Sequence, residues 1–427
     1  SSMEKEAGIL KSAGTVGFMT AVSRVFGYIR DAVLASILGA GYGMDAFAVA
    51  YRLANLFRRL VAEGAMSAAF VPILIEYRRV WTQQEVWTFT RKFFYTLAIV
   101  TGAIVLAEIF FAPLLVRVMA PGFFAVPGKW ELTVFLTRLM APYLILVSLT
   151  AYLMGVLNSF GSFAVPAFGP VLFNLGIIGS AFSLARLTPE PSVGLALGVL
   201  IGGALQLASQ IPSAYGLGFR FRIGFSFSQE PVRKMAKLLA PSIFGIGIVQ
   251  INLLVDSLMA SLLREGSVSQ IYYADRVMEL VLGIFVVSVT TVTLPEMARS
   301  AAEQNIEEVK HTILFSLRTI ALVAIPAAVG LFLLADPIVH VLFERGKFQA
   351  IDTERTAVAL AYYALGLCFI SALKLLVSAF YALQDTKTPV RVANLHVERL
   401  VAESVRAGIS IVFHANRRHR QVARADF

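Results

Sequence analysis

Five arginines, Arg24, Arg30, Arg52, Arg58 and Arg276, stand inside segments otherwise apolar enough to cross a lipid bilayer. A cation near the bilayer centre costs roughly 2.5–3.5 kcal/mol on insertion scales, so several of them require a compensating environment. A water-filled gap between helices that receives an anionic substrate supplies it. Guanidinium groups suit a diphosphate, because the planar fork donates two hydrogen bonds to phosphate oxygens. In SRVFGYIRD, Arg24 and Arg30 are six residues apart, about 9 Å along a helix axis. In YRLANLFRRLVAEGA, Arg52 and Arg59 are seven apart, two turns on one face, with Arg58 beside them. Snorkelling to an interface is an equal option for Arg30 and Arg59.

Acids accompany these cations. Asp31, Asp45, Glu63, Asp275 and Glu279 are read as charge partners of the arginines or as gating residues. Lys374, mid-span in SALKLLVSAFY, fits either an inward cationic role or pairing with an acid. Asp256, in NLLVDSLMAS, has no base nearby on its own helix. It fits a site for a coupling sodium ion or proton, or a pair with an arginine of another helix. Glu108 and Arg138 are read as structural, and the Phe110, Phe111, Phe123 and Phe124 stripes as lipid-facing or interfacial belts.

The elements that position these groups are membrane spans. Hydrophobic residues make up 57% of the chain and charged ones 15%, a balance outside soluble globular proteins. From Leu139 to Ala185 there is no Asp, Glu, Lys or Arg, enough chain for two spans of about 20 residues. The fold class expected is an all-α polytopic membrane protein. Ten spans are predicted, at about 12–37, 44–75, 93–116, 135–158, 163–185, 193–215, 237–263, 271–297, 314–335 and 356–383. With the N-terminus inside, cytoplasmic loops hold 15 Lys and Arg against 7 opposite. The positive-inside rule therefore predicts a cytoplasmic N-terminus. No cleavable signal peptide is read ahead of the first span.

The net charge of +10 sits mostly in these loops, so it signals topology and no nucleic-acid partner. A single cysteine, Cys368, excludes an internal disulfide, and His311 and His340 lack metal-ligand spacing. Neither a nucleophile–base pair nor a phosphate-binding glycine loop is present in the sequence, so no enzyme and no organic cofactor are expected.

The chain repeats itself at an offset near 224. PLLVRVMAPG from Pro113 is matched by PIVHVLFERG from Pro337, and Arg52 is matched by Arg276. Pro72 pairs with Pro295 at 223, and Asp31 with Asp256 at 225. An even number of spans per repeat predicts two parallel lobes related by a pseudo-two-fold along the membrane normal, with a site between them near mid-depth. The first lobe is read as 1–222, with six spans, and the second as 223–390, with about four. An eleventh span is due near Pro389, but Arg391, Glu398, Arg399, Glu403 and Arg406 fall in it. Together they would cost on the order of 10 kcal/mol. Residues 391–427 are therefore expected to be a basic tail that does not span, leaving the second lobe incomplete.

The run SRVFGYIRDAVLASILGAGYGMDAFAVAYRLANLFRRLVAEGAMSAAFVPILIEY closely resembles the start of the MurJ/MviN family of bacterial lipid II flippases. VPAFGPVLFN, SVSQIYYADRVMEL, RGKF and QDTKTPV are similar to later parts of that family, in order, over roughly residues 8–390. The resemblance implies two six-helix lobes of the multidrug/oligosaccharidyl-lipid/polysaccharide exporter type. It implies a bacterial inner-membrane protein, expected to be a monomer, that moves lipid-linked disaccharide-pentapeptide outward for peptidoglycan synthesis. Arg24, Arg30, Arg58 and Arg276 match the family's essential cavity arginines, Asp45 matches its acidic position, and Arg52 stands where some relatives carry Lys. Asp256 fits the seventh-helix ligand of a sodium site found in some members; its partner helix would fall in the divergent tail. An exporter of another polyprenyl-linked saccharide, or a non-transporting membrane scaffold, are the competing expectations.

Overall fold

The computed structural model describes residues 2–59, 71–225, 254–303 and 305–383, together with 388 and 392. Among them there is no strand. The helices are α1 (Ser2–Leu38), α2 (Tyr42–Arg58), α3 (Val71–Val80), α4 (Gln83–Met119), α5 (Lys129–Met140), α6 (Tyr143–Ser159), α7 (Ala164–Phe182), α8 (Leu184–Leu187) and α9 (Pro191–Leu217). They continue with α10 (residues 254–261), α11 (Ser267–Ala302), α12 (Ile306–Leu333), α13 (Ala335–Phe343) and α14 (Ala350–Ala382). A single 3₁₀ turn, Pro121–Ala125, follows α4.

Local chemistry sets several ends. Thr82 opens α4 with a reciprocal capping box: its side chain accepts from Glu85 N, and the Glu85 carboxylate accepts from Thr82 N at 2.8 Å. Asn305 caps α12 by accepting from Glu308 N at 3.2 Å. Pro142 cannot donate to the preceding turn, so α5 and α6 form one span, Lys129–Ser159, broken at Ala141–Pro142. Pro191 starts α9 and Gly218, at φ 110°, ends it.

Helices α7 and α9 make the tightest packing. Gly194, Gly198 and Gly202 form a stripe at every fourth residue of α9. A Cβ at any of them would strike the backbone or Ser180 of the α7–α8 segment. Small residues let helix backbones approach closely where no hydrophobic effect drives them together.

Among the described residues, six helices are long and apolar enough to cross a membrane: 83–119, 129–159, 164–187, 191–217, 306–333 and 350–377. They correspond to six of the predicted spans. The predicted 12–37 and 271–297 lie within α1 and α11, whose arginines and acids lower their hydropathy. The predicted 44–75 is α2 and part of α3, flanking residues 60–70 outside the described residues, as is most of 237–263.

The repeat is visible in the elements. An offset of 224 carries Tyr42 to Gly266, one residue before α11, and Gln83 to Glu307, one residue into α12. Met119, the end of α4, maps to Phe343, the end of α13, and Ser159 to Leu383, one past α14. Residues 391 and 393–427, where the non-spanning tail and the missing eleventh helix are expected, lie outside the described residues.

The core is not evenly shared between the lobes. One cluster runs through both, from Leu34, Phe47 and Phe123 to Tyr272, Tyr273, Phe343 and Leu360. A second, with Phe89, Phe93, Phe94, Tyr152 and Phe219, belongs to the first lobe alone. The shared cluster crosses between the lobes beside the loops 39–41, 120–128, 262–266 and 344–349, which mark the closed end of the molecule, and continues along the second lobe to Met297 and Ala379. Along α1, Asp31 to Ala35 are mostly buried, whereas Phe18, Arg24 and Val25, further from that end, are exposed.

Candidate functional site

Four helices carry the charged groups between the lobes: α1 and α2 from the first, α10 and α11 from the second. Arg30 and Asp31 follow one another on α1, and both are buried. Arg30 donates from Nε and Nη2 to Asp31 Oδ1, at 3.0 and 2.8 Å, and from Nη1 to Asn174 Oδ1 of α7 at 3.0 Å. Asn174 in turn donates to the Ser23 carbonyl at 3.2 Å. Across the gap, Tyr272 of α11 donates to Asp31 Oδ1 at 3.3 Å. A buried pair of this kind is favourable only where its remaining hydrogen-bonding positions are filled. Here the second lobe fills one of them.

One turn along α11, Arg276 pairs with Glu279 at 2.6 Å and lies 5.0 Å over the Tyr272 ring. It is half-buried, and its Nε–H is buried with no hydrogen-bond partner among the described residues. Asp31 and Asp275 also act on it electrostatically. Arg52 of α2 reaches across to α10, where it donates to Ser257 Oγ at 2.7 Å. Its charge acts on both Asp256 and Asp275, and Tyr363 of α14 faces the same three groups. The structure thus joins Arg30, Arg52, Arg276, Asp31, Asp275, Glu279 and Asp256 into one continuous polar seam between the lobes. Asp256 thus lies within electrostatic reach of Arg52 of the other lobe, whose hydrogen bond goes to the neighbouring Ser257.

Arg24 is exposed, and its guanidinium lies against Gly283 of α11, where a Cβ would collide with it. Gly283 is seven residues beyond Arg276, two turns or about 10 Å. Arg58 is half-buried further along α2, donating to Asn55 Oδ1 at 3.0 Å. Lys374 is exposed on α14, about 16 Å along the helix from Tyr363. Glu63 lies outside the described residues.

Asp45 is elsewhere, at the closed end, and its partner is not an arginine. Its carboxylate is buried, with Lys129 Nζ of α5 at 2.7 Å. It also caps the second lobe: Gly266 N donates to Oδ2 at 2.8 Å, and Ser269 donates to Oδ1 from N at 2.9 Å and from Oγ. A carboxylate at the first turn of α11 satisfies donors that the helix itself cannot. Asp45 and Ser269 are separated by 224, the repeat offset itself. A residue that meets its own symmetry mate lies on the symmetry axis, so the starts of α2 and α11 meet on the pseudo-two-fold. Around this point Tyr42 N donates to Glu265 Oε1 at 3.1 Å, Lys347 N to the Ser36 carbonyl at 2.8 Å and Tyr273 OH to the Gly39 carbonyl at 3.1 Å. Gly122 donates to Ser261 Oγ at 3.3 Å, in a contact too close for any Cβ. In the adjoining loop, hydrogen bonds from Thr353 and His340 hold the Glu344 carboxyl below the usual carboxylate range.

Sequence reading missed Lys129, Asn174, Ser257, Tyr272 and Gly283. Asn174 had a signal, as one of two amides, with Asn158, within the charge-free run 139–185. Lys129 had none, because it reads as one more loop lysine.

Two parallel lobes meeting at one end, with a charged seam between them, are the architecture of two-lobed helical membrane transporters. A solved multidrug resistance MATE family transporter of the MOP superfamily, in an inward-facing conformation, superposes with a TM-score of 0.72 over 89% of this chain and 84% of its own. At 14% identity that likeness is one of fold alone. Residues 34–402 match the family model described as lipid II flippase MurJ, and the chain belongs to that family. The match runs twelve residues past 390, into the segment expected from the sequence to be a divergent tail. A probable lipid II flippase MurJ of Vibrio cholerae is 37% identical over 390 residues, covering 90% of this chain and 74% of the relative. The lipid II flippase MurJ of Burkholderia cenocepacia is 36% identical over 383 residues, covering 89% and 74%. A solved lipid II flippase MurJ in an inward closed conformation has a TM-score of 0.76 at 28% identity, covering 88% of this chain and 78% of that one.

Proposed function

We propose that this chain is a lipid II flippase. It carries undecaprenyl-diphosphate-linked disaccharide-pentapeptide from the cytoplasmic to the outer leaflet for peptidoglycan synthesis, by alternating access. Its place is the bacterial inner membrane, with the N-terminus cytoplasmic and the closed end outward, and it works as a monomer. The observation that carries this reading is the arginine-bearing seam between two lobes in a chain matched over residues 34–402 by that family.

The residues divide the work by position. Arg24 and Arg276 receive the diphosphate; supporting this, Arg276 Nε–H has no partner among the described residues and Arg24 is exposed on the facing helix. Arg30 is fully committed to Asp31 and Asn174, so it reaches substrate only if the lobes part and Tyr272 leaves Asp31. Arg58 lies nearer the cytoplasmic side and makes the first contact with an entering headgroup, while the polyprenyl tail stays in lipid. Arg52, Asp256 and Asp275 form a charge group whose balance a sodium ion or proton can shift, which couples transport to an ion gradient or to the membrane potential.

Complementation of a flippase-depleted bacterium tests the reading. Arg24→Ala, Arg58→Ala and Arg276→Ala are each expected to abolish rescue at unchanged membrane abundance. Rescue by all three would remove the cavity assignment.

A further inference from the structure

We infer that Lys129 is a positioning residue for alternating access: it is the counter-ion that the first lobe keeps on Asp45 while the outer gate opens. The inference rests on the two-lobe transport reading above. Asp45 accepts from four donors in the closed gate. Three of them, Gly266 N, Ser269 N and Ser269 Oγ, belong to the second lobe and are lost when the lobes part. The fourth, Lys129 Nζ at 2.7 Å, belongs to the first lobe and travels with Asp45, because α2 and α5 pack together within it.

Both side chains are almost fully enclosed in the closed state, at 1% exposure for Asp45 and 2% for Lys129. Lys129 is further fixed by the Phe123 ring, 4.5 Å from Nζ. A buried carboxylate without a counter-ion is costly, whereas the same carboxylate in water is not. Lys129 therefore stabilises the closed gate more than the open one. The bare carboxylate would favour opening, where water reaches it. The arrangement is one-sided: the residue equivalent to Asp45 in the repeat is Ser269, which carries no charge and needs no such partner.

The test measures the gate and requires no substrate. In a Cys368→Ala background, spin labels at Ala125→Cys and Leu263→Cys report the distance between the lobes beside the gate. Lys129→Met is expected to raise the wide-distance population at least tenfold, and Lys129→Arg to leave it near the parent value. Asp45→Asn combined with Lys129→Met should return most of the population to the short distance, since no charge is then buried alone. An unshifted Lys129→Met protein overturns the inference. So does a double variant as open as Lys129→Met, because Lys129 would then act through something other than Asp45. Failure of the flippase reading would show in complementation and leave these distances unchanged.

Discussion

At the scale of single residues, the seam is a set of arginines whose partners differ in how easily they can be given up. Arg30 has a carboxylate, an amide and a tyrosine around it, all buried, and Arg276 has one half-exposed glutamate. On the proposed reading, a substrate phosphate would displace the second far more cheaply than the first, because the half-exposed ion pair gives up less on rearrangement. Gly283 sharpens the point. A methyl group there meets only the far end of the flexible Arg24 side chain, so Gly283→Ala should move the guanidinium without unfolding anything. Flipping in reconstituted vesicles is expected to fall about tenfold, equivalent to about 1.4 kcal/mol, with an unchanged melting temperature. A fall no greater than in Gly216→Ala, where a Cβ meets open space, would dissociate Arg24 from the substrate path. Asp256→Asn is expected to remove the sodium or proton dependence of transport while leaving substrate binding intact. Unchanged ion dependence would make Asp256 a charge partner of Arg52 and nothing more.

Among the elements, the glycine stripe of α9 is the most demanding piece of packing. In Gly198→Val the Cβ alone already collides with Ser180 and the Ile177 backbone, and two methyl groups are added beyond it. Overpacking of this kind costs about 1–3 kcal/mol, and a lowered unfolding midpoint in detergent is the expected readout. The Glu344 loop makes a gentler prediction. Its folded carboxyl is held below the ordinary range by Thr353 and His340, so its contribution is present at neutral pH. It is lost only as the pH falls below the usual carboxylate range, where hydrogen exchange in residues 344–353 should accelerate; Glu344→Gln should remove that acid step. At this scale the spans and the 224-residue offset are legible in the sequence, because they are local or periodic patterns, and they map onto observed elements. The break at Pro142 and the Gly194–Gly198–Gly202 stripe are patterns of the same kind that sequence reading missed. What joins Asp45 to Lys129 and Ser269, or Arg52 to Ser257, is contact across 84 to 224 residues. Such pairing leaves no local trace. Once the offset was known, though, residues near the start of each repeat could have been expected to meet on the axis.

For the whole molecule, the distribution of contact between the lobes decides what motion is available. Inter-lobe hydrogen bonds among the described residues join residues 28–39, the start of α2 and Gly122 to residues 261–266, the first turns of α11 and residues 342–347; Arg52 to Ser257 reaches deepest. The core divides the same way, with one cluster crossing between lobes at the closed end and an aromatic cluster belonging to the first lobe alone. Lobes held at one end rock about it until that end itself parts, so transport needs the closed end to open once per cycle. Tyr42 and Glu265 face each other across that end, with Tyr42 N and Glu265 Oε1 3.1 Å apart. Cysteines placed at both, in a Cys368→Ala background, should be joined by a short thiol-reducible bifunctional reagent. Bridged protein is expected to bind substrate from the cytoplasmic side and to release none outward, with flipping restored when a reductant cleaves the bridge. If the bridged protein flips at the unbridged rate, the contacts around Asp45 do not form a gate, and the route runs elsewhere than between the two lobes.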